Sequence, residues 1–336
     1  AAWAVLPLPI NPELPWGGRF ATWRLYVILE SLPSLVTGLF LLTLDETPRF
    51  QLSKGREEEA IITLSKLYTH NTGIPMHEYP VKALKTDGVM RPMNRVRKGP
   101  CSGLLTVWDQ IYPLLKPPHL PVLILCCFLQ AACFIANGLL IWLPDIFGRT
   151  ASSELSDSPI CEALELSPLP DLLHQDDESQ GCDSSSVDTI AFFNALVIGG
   201  TVGIAYIIVA FLSGHVNKRV LFGCTMLSAS AMGFGTAPSS PSSVTLAITS
   251  LFHAFSGVSI TLLGGIVTDL FPTHLRAASM SLSLTFGRFG MVGGGSVIGT
   301  LLESSCESAF HTTGAVALAV ALLSLLIPKG QQTSLR

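Results

Sequence analysis

Seven long apolar runs follow one another along this chain, at residues 23–44, 121–143, 190–212, 220–235, 244–267, 277–302 and 309–327. Most approach or exceed the ~20 residues that cross a hydrocarbon layer as a helix. The run at 220–235 is short and weak, but Pro238 and the Ser-rich "SSPSS" mark its far end. A backbone in lipid must satisfy its own hydrogen bonds, so such runs can only be helices or part of a closed barrel. At this length they are helices. The composition agrees: 49% of residues are hydrophobic and 13% charged, against about 25% charged in soluble domains.

Lysine and arginine set the orientation. Residues 49–98 hold ten of the chain's 20 basic residues, which places that segment in the cytoplasm. The segment 144–188 has one, Arg149, among many acids, and belongs outside or in a lumen. The alternation continues with Lys218 and Arg219 inside, "SSPSS" outside, His274 and Arg276 inside, "ESSCES" outside, and Lys329 and Arg336 inside. Six crossings agree, which argues against a buried soluble bundle. Residues 1–10 are apolar but lack a basic region and an initiator Met. They read as the tail of a helix whose beginning is absent, not as a signal peptide.

The cytoplasmic segment has structure of its own. In "SKGREEEAIITLSKLYTHNTG", Ala60, Ile61, Leu64, Leu67 and Tyr68 recur at helical spacing. Ser53 is positioned to cap this helix, and residues 71–73 to stop it. Past Tyr79 the segment is basic and broken by Pro and Gly, and its cations suit anionic lipid.

Cys126, Cys127, Cys133 and Cys224 lie in apolar runs and read as small packing residues. Cys161, Cys182 and Cys306 fall on the non-cytoplasmic side, where disulfides form. A Cys161–Cys182 bond is expected, since both sit in one acidic loop, with Cys306 as the competing partner. No spacing of Cys and His suggests a metal. There is no phosphate-binding glycine loop and no nucleophile elbow. The chain calls for no cofactor, no nucleic acid and no enzymatic reaction.

Several stretches carry a family resemblance. "DETPRFQLSKGREEEA", with Glu46, Pro48 and Arg49, resembles the segment after the sixth helix of sugar- and organic-ion-type major facilitator transporters. "LFPTHLRAASMSLSLTFGRFG", with Arg276, resembles the start of their eleventh helix. "WRLYVILESLPSLVTGLFLL", "NTGIPMHEYPVKAL", "GLLIWLPDIF" and "TGAVALAVALLSLLIPKG" together resemble the synaptic-vesicle-glycoprotein-2-like branch. The resemblance implies an all-α membrane protein holding the C-terminal six-helix half of a twelve-helix bundle, plus helix six and a remnant of helix five. Residues 1–44 would then be that remnant and helix six, and 45–117 the central loop. Residues 118–328 would hold helices seven to twelve, with the extracytoplasmic loop 144–188, and 329–336 the cytoplasmic tail. The implied function is alternating-access carriage of a small organic or ionic solute, incomplete without an N-terminal half or a second copy. A regulatory or receptor-like vesicle protein, and an inactive truncated product, are the alternatives. The family's cytoplasmic latch is degenerate here. "SGHVNKRVLFG" keeps Gly214, Lys218 and Arg219, but Asn217 stands where an acid is expected. Glu30 within helix six is a second departure.

Polar residues inside the runs fall on stripes. Gln130, Phe134, Asn137 and Ile141 share one face of the expected helix seven. Ser250, His253, Gly257, Thr261, Gly264 and Thr268 share one face of helix ten, and Ser281, Thr285 and Arg288 line helix eleven. Intramembrane polar groups are costly unless they meet partners or water. Gln130, Asn137, Ser250, His253, Ser281, Thr285 and Arg288 are therefore cavity candidates, with interhelical hydrogen bonding as the competing role. Arg288 lies twelve residues past Arg276, roughly 18 Å along a helix, too deep to snorkel out. Carbonyls, an acid (Asp269 or Glu30) or an anionic solute would neutralise it. Gly290 and Gly294, and Gly295 and Gly299, are four apart, the spacing that lets helix backbones approach closely.

Overall fold

The computed structural model describes residues 2–5, 8, 13–14, 18–53, 55–84, 108, 111–151, 158–165, 189–272 and 275–328. They fall into two compact units, Ala1–Val107 and Trp108–Arg336.

In the first unit, Glu13–Leu14 (β1) pairs antiparallel with Gly18–Arg19 (β2). The apolar run that follows is helix α1, Thr22–Leu41, with no buried residue. Two further helices come next, α2 (Pro48–Ser53) and α3 (Glu57–Thr72). Ser53 thus ends α2 instead of capping α3, because Gly55 at φ 76° turns the chain between them. Glu57, Glu58 and Glu59 occupy the first turn of α3, where carboxylates offset the helix dipole. Its stop is as expected: Gly73 takes the left-handed φ of 74° and donates its N–H to the Thr69 carbonyl.

The second unit is a helical bundle. Its helices are α4 (His119–Ala136), α5 (Leu143–Ala151), α6 (Ile160–Glu165), α7 (Thr189–Leu212), α8 (Lys218–Thr236), α9 (Ser242–Leu270), α10 (Arg276–Ser304) and α11 (Cys306–Leu323). Five stretches of the described chain are long and apolar enough to span a membrane: Thr22–Leu41, His119–Thr150, Phe192–Leu212, Ser242–Leu270 and Cys306–Leu326. α8 and α10 have spanning length but a Ser- and Gly-rich composition, and they meet other helices across those small residues. Apart from the short β1–β2 pair, the described residues form an all-α fold of membrane-protein type.

The expected single helix seven is broken. α4 ends at Ala136, a 3-10 stretch runs Asn137–Ile141, and α5 carries the helix into the segment read as loop from residue 144. Tighter 3-10 turns let Gly138 lie against α10, where an added Cβ would sit 2.8 Å from the Gly295 nitrogen. The Trp142 indole donates to the Gly295 carbonyl at 2.8 Å and fixes the break in place.

Large apolar side chains such as Phe211 (73% exposed) and Phe289 (71%) cover the outside. This is the inverse of a soluble surface and suits hydrocarbon. Inside, Phe222, Met226, Phe252, Leu263 and Val320 form the centre of the largest cluster.

The Cys161–Cys182 expectation is corrected: Cys161 is bonded to Cys306, with the Cα atoms 5.5 Å apart. Cys182 lies outside the described residues. The reason is packing. α6 buries Ile160, Cys161 and Leu164 in the cluster that also holds Cys306, Ala309 and Phe310 at the start of α11. Of the four cysteines read as packing residues, Cys126, Cys127 and Cys133 are buried, whereas Cys224 is exposed. Non-reducing peptide mapping is expected to recover a Cys161–Cys306 linked pair. Cys161→Ser should lower the melting temperature, since cross-linking residues this far apart is worth ~5 kcal/mol in the chain-entropy model. A Cys161–Cys182 peptide pair would overturn the assignment.

Candidate functional site

The membrane-depth polar residues separate into two groups. Ser281, Thr285 and Arg288 are exposed on one face of α10, while Gln130, Asn137, Ser250 and His253 are buried within the bundle.

The exposed group is built on a helix held from behind. An added Cβ on Gly290 would lie 2.4 Å from the Ala131 carbonyl oxygen, and one on Gly294 would lie 2.7 Å from the Ile135 Cα. The backbones of α10 and α4 are therefore in direct contact, and the opposite face of α10 is turned outward. Arg288 stands on that outward face. Its guanidinium carbon is 5.6 Å from the centroid of the Phe134 ring, within cation–π range. Among the described residues no carboxylate lies within ion-pair distance of Arg288. Asp269, one of the two acids considered for it, is committed to Lys218 Nζ at 2.7 Å. The other, Glu30, belongs to α1 in the first unit. Arg288 is the only charged residue of α10 between Arg276 and Glu303, which are ~18 and ~22 Å away along the helix.

The buried group is only partly satisfied. Asn137 donates from Nδ2 to the Cys133 carbonyl at 3.0 Å and accepts from Ser256 Oγ at 3.1 Å. Ser250 donates to the Leu246 carbonyl at 2.6 Å. Gln130 is 1% exposed, and neither atom of its amide has a partner. It lies beside Gly287, next to Phe134, on the inner side of the Arg288 face. His253 is 2% exposed with both ring nitrogens unpartnered.

The residues of the expected motif in the second unit lie at helix ends. Asn217 does not leave the latch empty. Its side chain caps α8 by accepting from the Arg219 N–H at 3.1 Å. Lys218 then bridges to Asp269 at the far end of α9. Arg219 reaches the Ile327 carbonyl at 3.4 Å, and Arg276 donates from Nε to the Phe271 carbonyl at 3.1 Å. Gly214 lies in the turn before Asn217. Lys218 and Asp269 are both substantially exposed, so the pair contributes roughly 0.2–1 kcal/mol and chiefly sets geometry. In the first unit, Pro48 opens α2, Arg49 lies within it, and Glu46 is 3.9 Å from Arg56.

Sequence reasoning missed Ser256, Ser259 and Thr225. Ser259 and Thr225 share a hydroxyl hydrogen bond at 2.8 Å between α9 and α8. The signal was present as hydroxyls three and four apart on α9, but it was read for the neighbouring face.

Helices of spanning length and apolar outer surfaces define a multi-pass integral membrane protein. Residues 17–151 match the model of the family described as sugar (and other) transporter. Synaptic vesicle glycoprotein 2B of Homo sapiens is 27% identical over 166 residues, covering 43% of this chain and 24% of the relative. The same protein of Rattus norvegicus and of Mus musculus is 26% identical over the same length. The chain thus matches about a quarter of the length of these curated relatives. The resemblance to the major facilitator superfamily, in its synaptic-vesicle-glycoprotein-2-like branch, is borne out.

Proposed function

We propose that this chain supplies the C-terminal half of an alternating-access carrier for a small organic or ionic solute. The single observation that carries the reading is Arg288: a charged, outward-facing guanidinium with no ion-pair partner among the described residues, at the middle of α10, a helix of membrane-spanning length. Against lipid alone it costs ~2.5–3.5 kcal/mol or more. Against a water-filled cavity it is a binding group. Ser281 and Thr285 extend the same polar face toward the cytoplasm, and Phe134 offers a flat apolar contact beside the charge. The facing wall comes from a further set of helices, in the same polypeptide or in a second copy. The solute this face suits best carries an anionic group. Gln130 and Asn137 stand behind the face, on α4 and at the start of its 3-10 break. Ser250 and His253 lie deeper.

The relatives are vesicle glycoproteins by name, which favours a second reading: a vesicle membrane protein with a regulatory or receptor-like role that binds a ligand on this face without carrying it. Thermal melting of the protein in lipid nanodiscs, with a panel of organic anions and cations, tests the binding face. A saturable rise with an anion, absent in Arg288→Ala, is expected. No shift with any compound would refute the face as a binding site. A shift without uptake in proteoliposomes would select the second reading.

A further inference from the structure

Thr245, Thr249, His253, Ser256 and Ser259 follow one another at spacings of four, four, three and three along α9, and all five are buried. Such spacing keeps them on one face. They form a polar seam inside the half-bundle, on residues that the Arg288 face does not use. From Thr245 to Ser259 it runs roughly 21 Å along the helix, a large part of the ~30 Å hydrocarbon core.

The ends of the seam are satisfied by other elements. The Thr245 and Ser239 hydroxyls are 2.7 Å apart. Ser256 Oγ donates to Asn137 Oδ1, and Ser259 pairs with Thr225. The centre is not. Thr249 Oγ1 and both ring nitrogens of His253 have no partner. Other hydroxyls on this helix bond back to the preceding turn, as Ser250 does to Leu246 and Ser259 to Phe255. Thr249 does not use that bond.

Buried polar groups in native structures are paired, with protein or with ordered water. Thr249 and His253 are one turn apart, with Cβ atoms about 5–6 Å apart on such a helix. A neutral imidazole offers one donor and one acceptor, and a hydroxyl one donor and two acceptors. That is the set of partners a buried water needs, which is two to four. We propose that Thr249 and His253 form an internal water-binding site that joins the two satisfied ends of the seam into one hydrogen-bonded column. The site is independent of the solute reading. It stands whether or not Arg288 binds an anion.

The competing arrangement is a dry imidazole edge against the Phe252 ring, whose centroid is 5.1 Å away in T-shaped geometry. Radiolytic hydroxyl labelling of the chain in lipid nanodiscs separates the two, because bound water is the source of the radical. Oxidation of Phe252 and His253 should exceed that of Phe222 and Phe310, which are equally buried but carried by α8 and α11 instead of the seam helix. Labelling of Phe252 and His253 no greater than that of Phe222 and Phe310 overturns the proposal. A melting-temperature cycle adds a second readout. Thr249→Val and His253→Leu should each lower the melting temperature, while the double variant loses less than the sum, since the dry pair leaves no orphaned group. Strictly additive losses, or a rise for Thr249→Val alone, would also overturn it.

Discussion

Arg288→Ala is expected to lower saturable uptake of an anionic solute by one to two orders of magnitude, with Arg288→Lys retaining part of it. The magnitude follows from the chemistry. A charge-assisted hydrogen bond contributes about 1.5–3 kcal/mol, and each ~1.4 kcal/mol is tenfold in binding. Lysine keeps the charge but loses the planar fork and the stacking on Phe134. Stability should move the other way. Removing an unpaired charge from a helix at membrane depth leaves the melting temperature unchanged or higher, so a loss of uptake cannot be ascribed to unfolding. Proteoliposome flux and thermal melting on the same preparations check both halves. Undiminished uptake in Arg288→Ala would exclude Arg288 as the solute contact.

A comparably large effect, on folding instead of flux, is expected at Gly290. A Cβ there would lie 2.4 Å from the Ala131 carbonyl oxygen and 2.9 Å from its Cα. Both are backbone atoms, so no rotamer change relieves the overlap, and α10 must part from α4. Gly290→Ala should cost at least the ~1–3 kcal/mol of an overpacked core, and Gly290→Leu should abolish the folded monodisperse protein. Gly293, on the open side of the same helix, has nothing within 4 Å of an added Cβ. Gly293→Ala should leave stability unchanged or raise it by roughly 0.5–1 kcal/mol, the helix preference of Ala over Gly. Melting temperatures in detergent give the comparison. Equal effects at the two positions would show that backbone contact does not govern this interface.

The parting of α4 and α10 also bears on the carrier reading. Gly138 and Gly290 seat one helix on the other along backbone atoms, and Trp142 ties the Asn137–Ile141 stretch to the Gly295 carbonyl. Motion of these two helices as a pair therefore costs less than sliding one past the other.

Much of the architecture was legible in the residues. Lipid removes water as a hydrogen-bond partner, so an apolar run of spanning length has one solution, and six of the seven runs hold one helix close to the expected ends, the run at 121–143 being the broken one. The Gly290 and Gly294 spacing foretold close helix contact because only glycine lets two backbones touch. Arg288 could be singled out because its cost in hydrocarbon depends on depth alone, and depth follows from counting residues. Other features are long-range and leave no local trace. The partner of Cys161 was decided by how α6 packs on α11, which brings residues 145 apart in sequence together. The break at Asn137 was decided by contact with Gly294 and Gly295 on α10, since nothing in "CFIANGLLIW" by itself forbids a continuous helix. The division of the polar stripes was also tertiary. Periodicity places Gln130, His253 and Arg288 on helix faces, but it does not say which neighbour covers each face. Only the packed bundle buries the first two and leaves the third outward, because burial is a property of the neighbours and not of the helix that carries the residue.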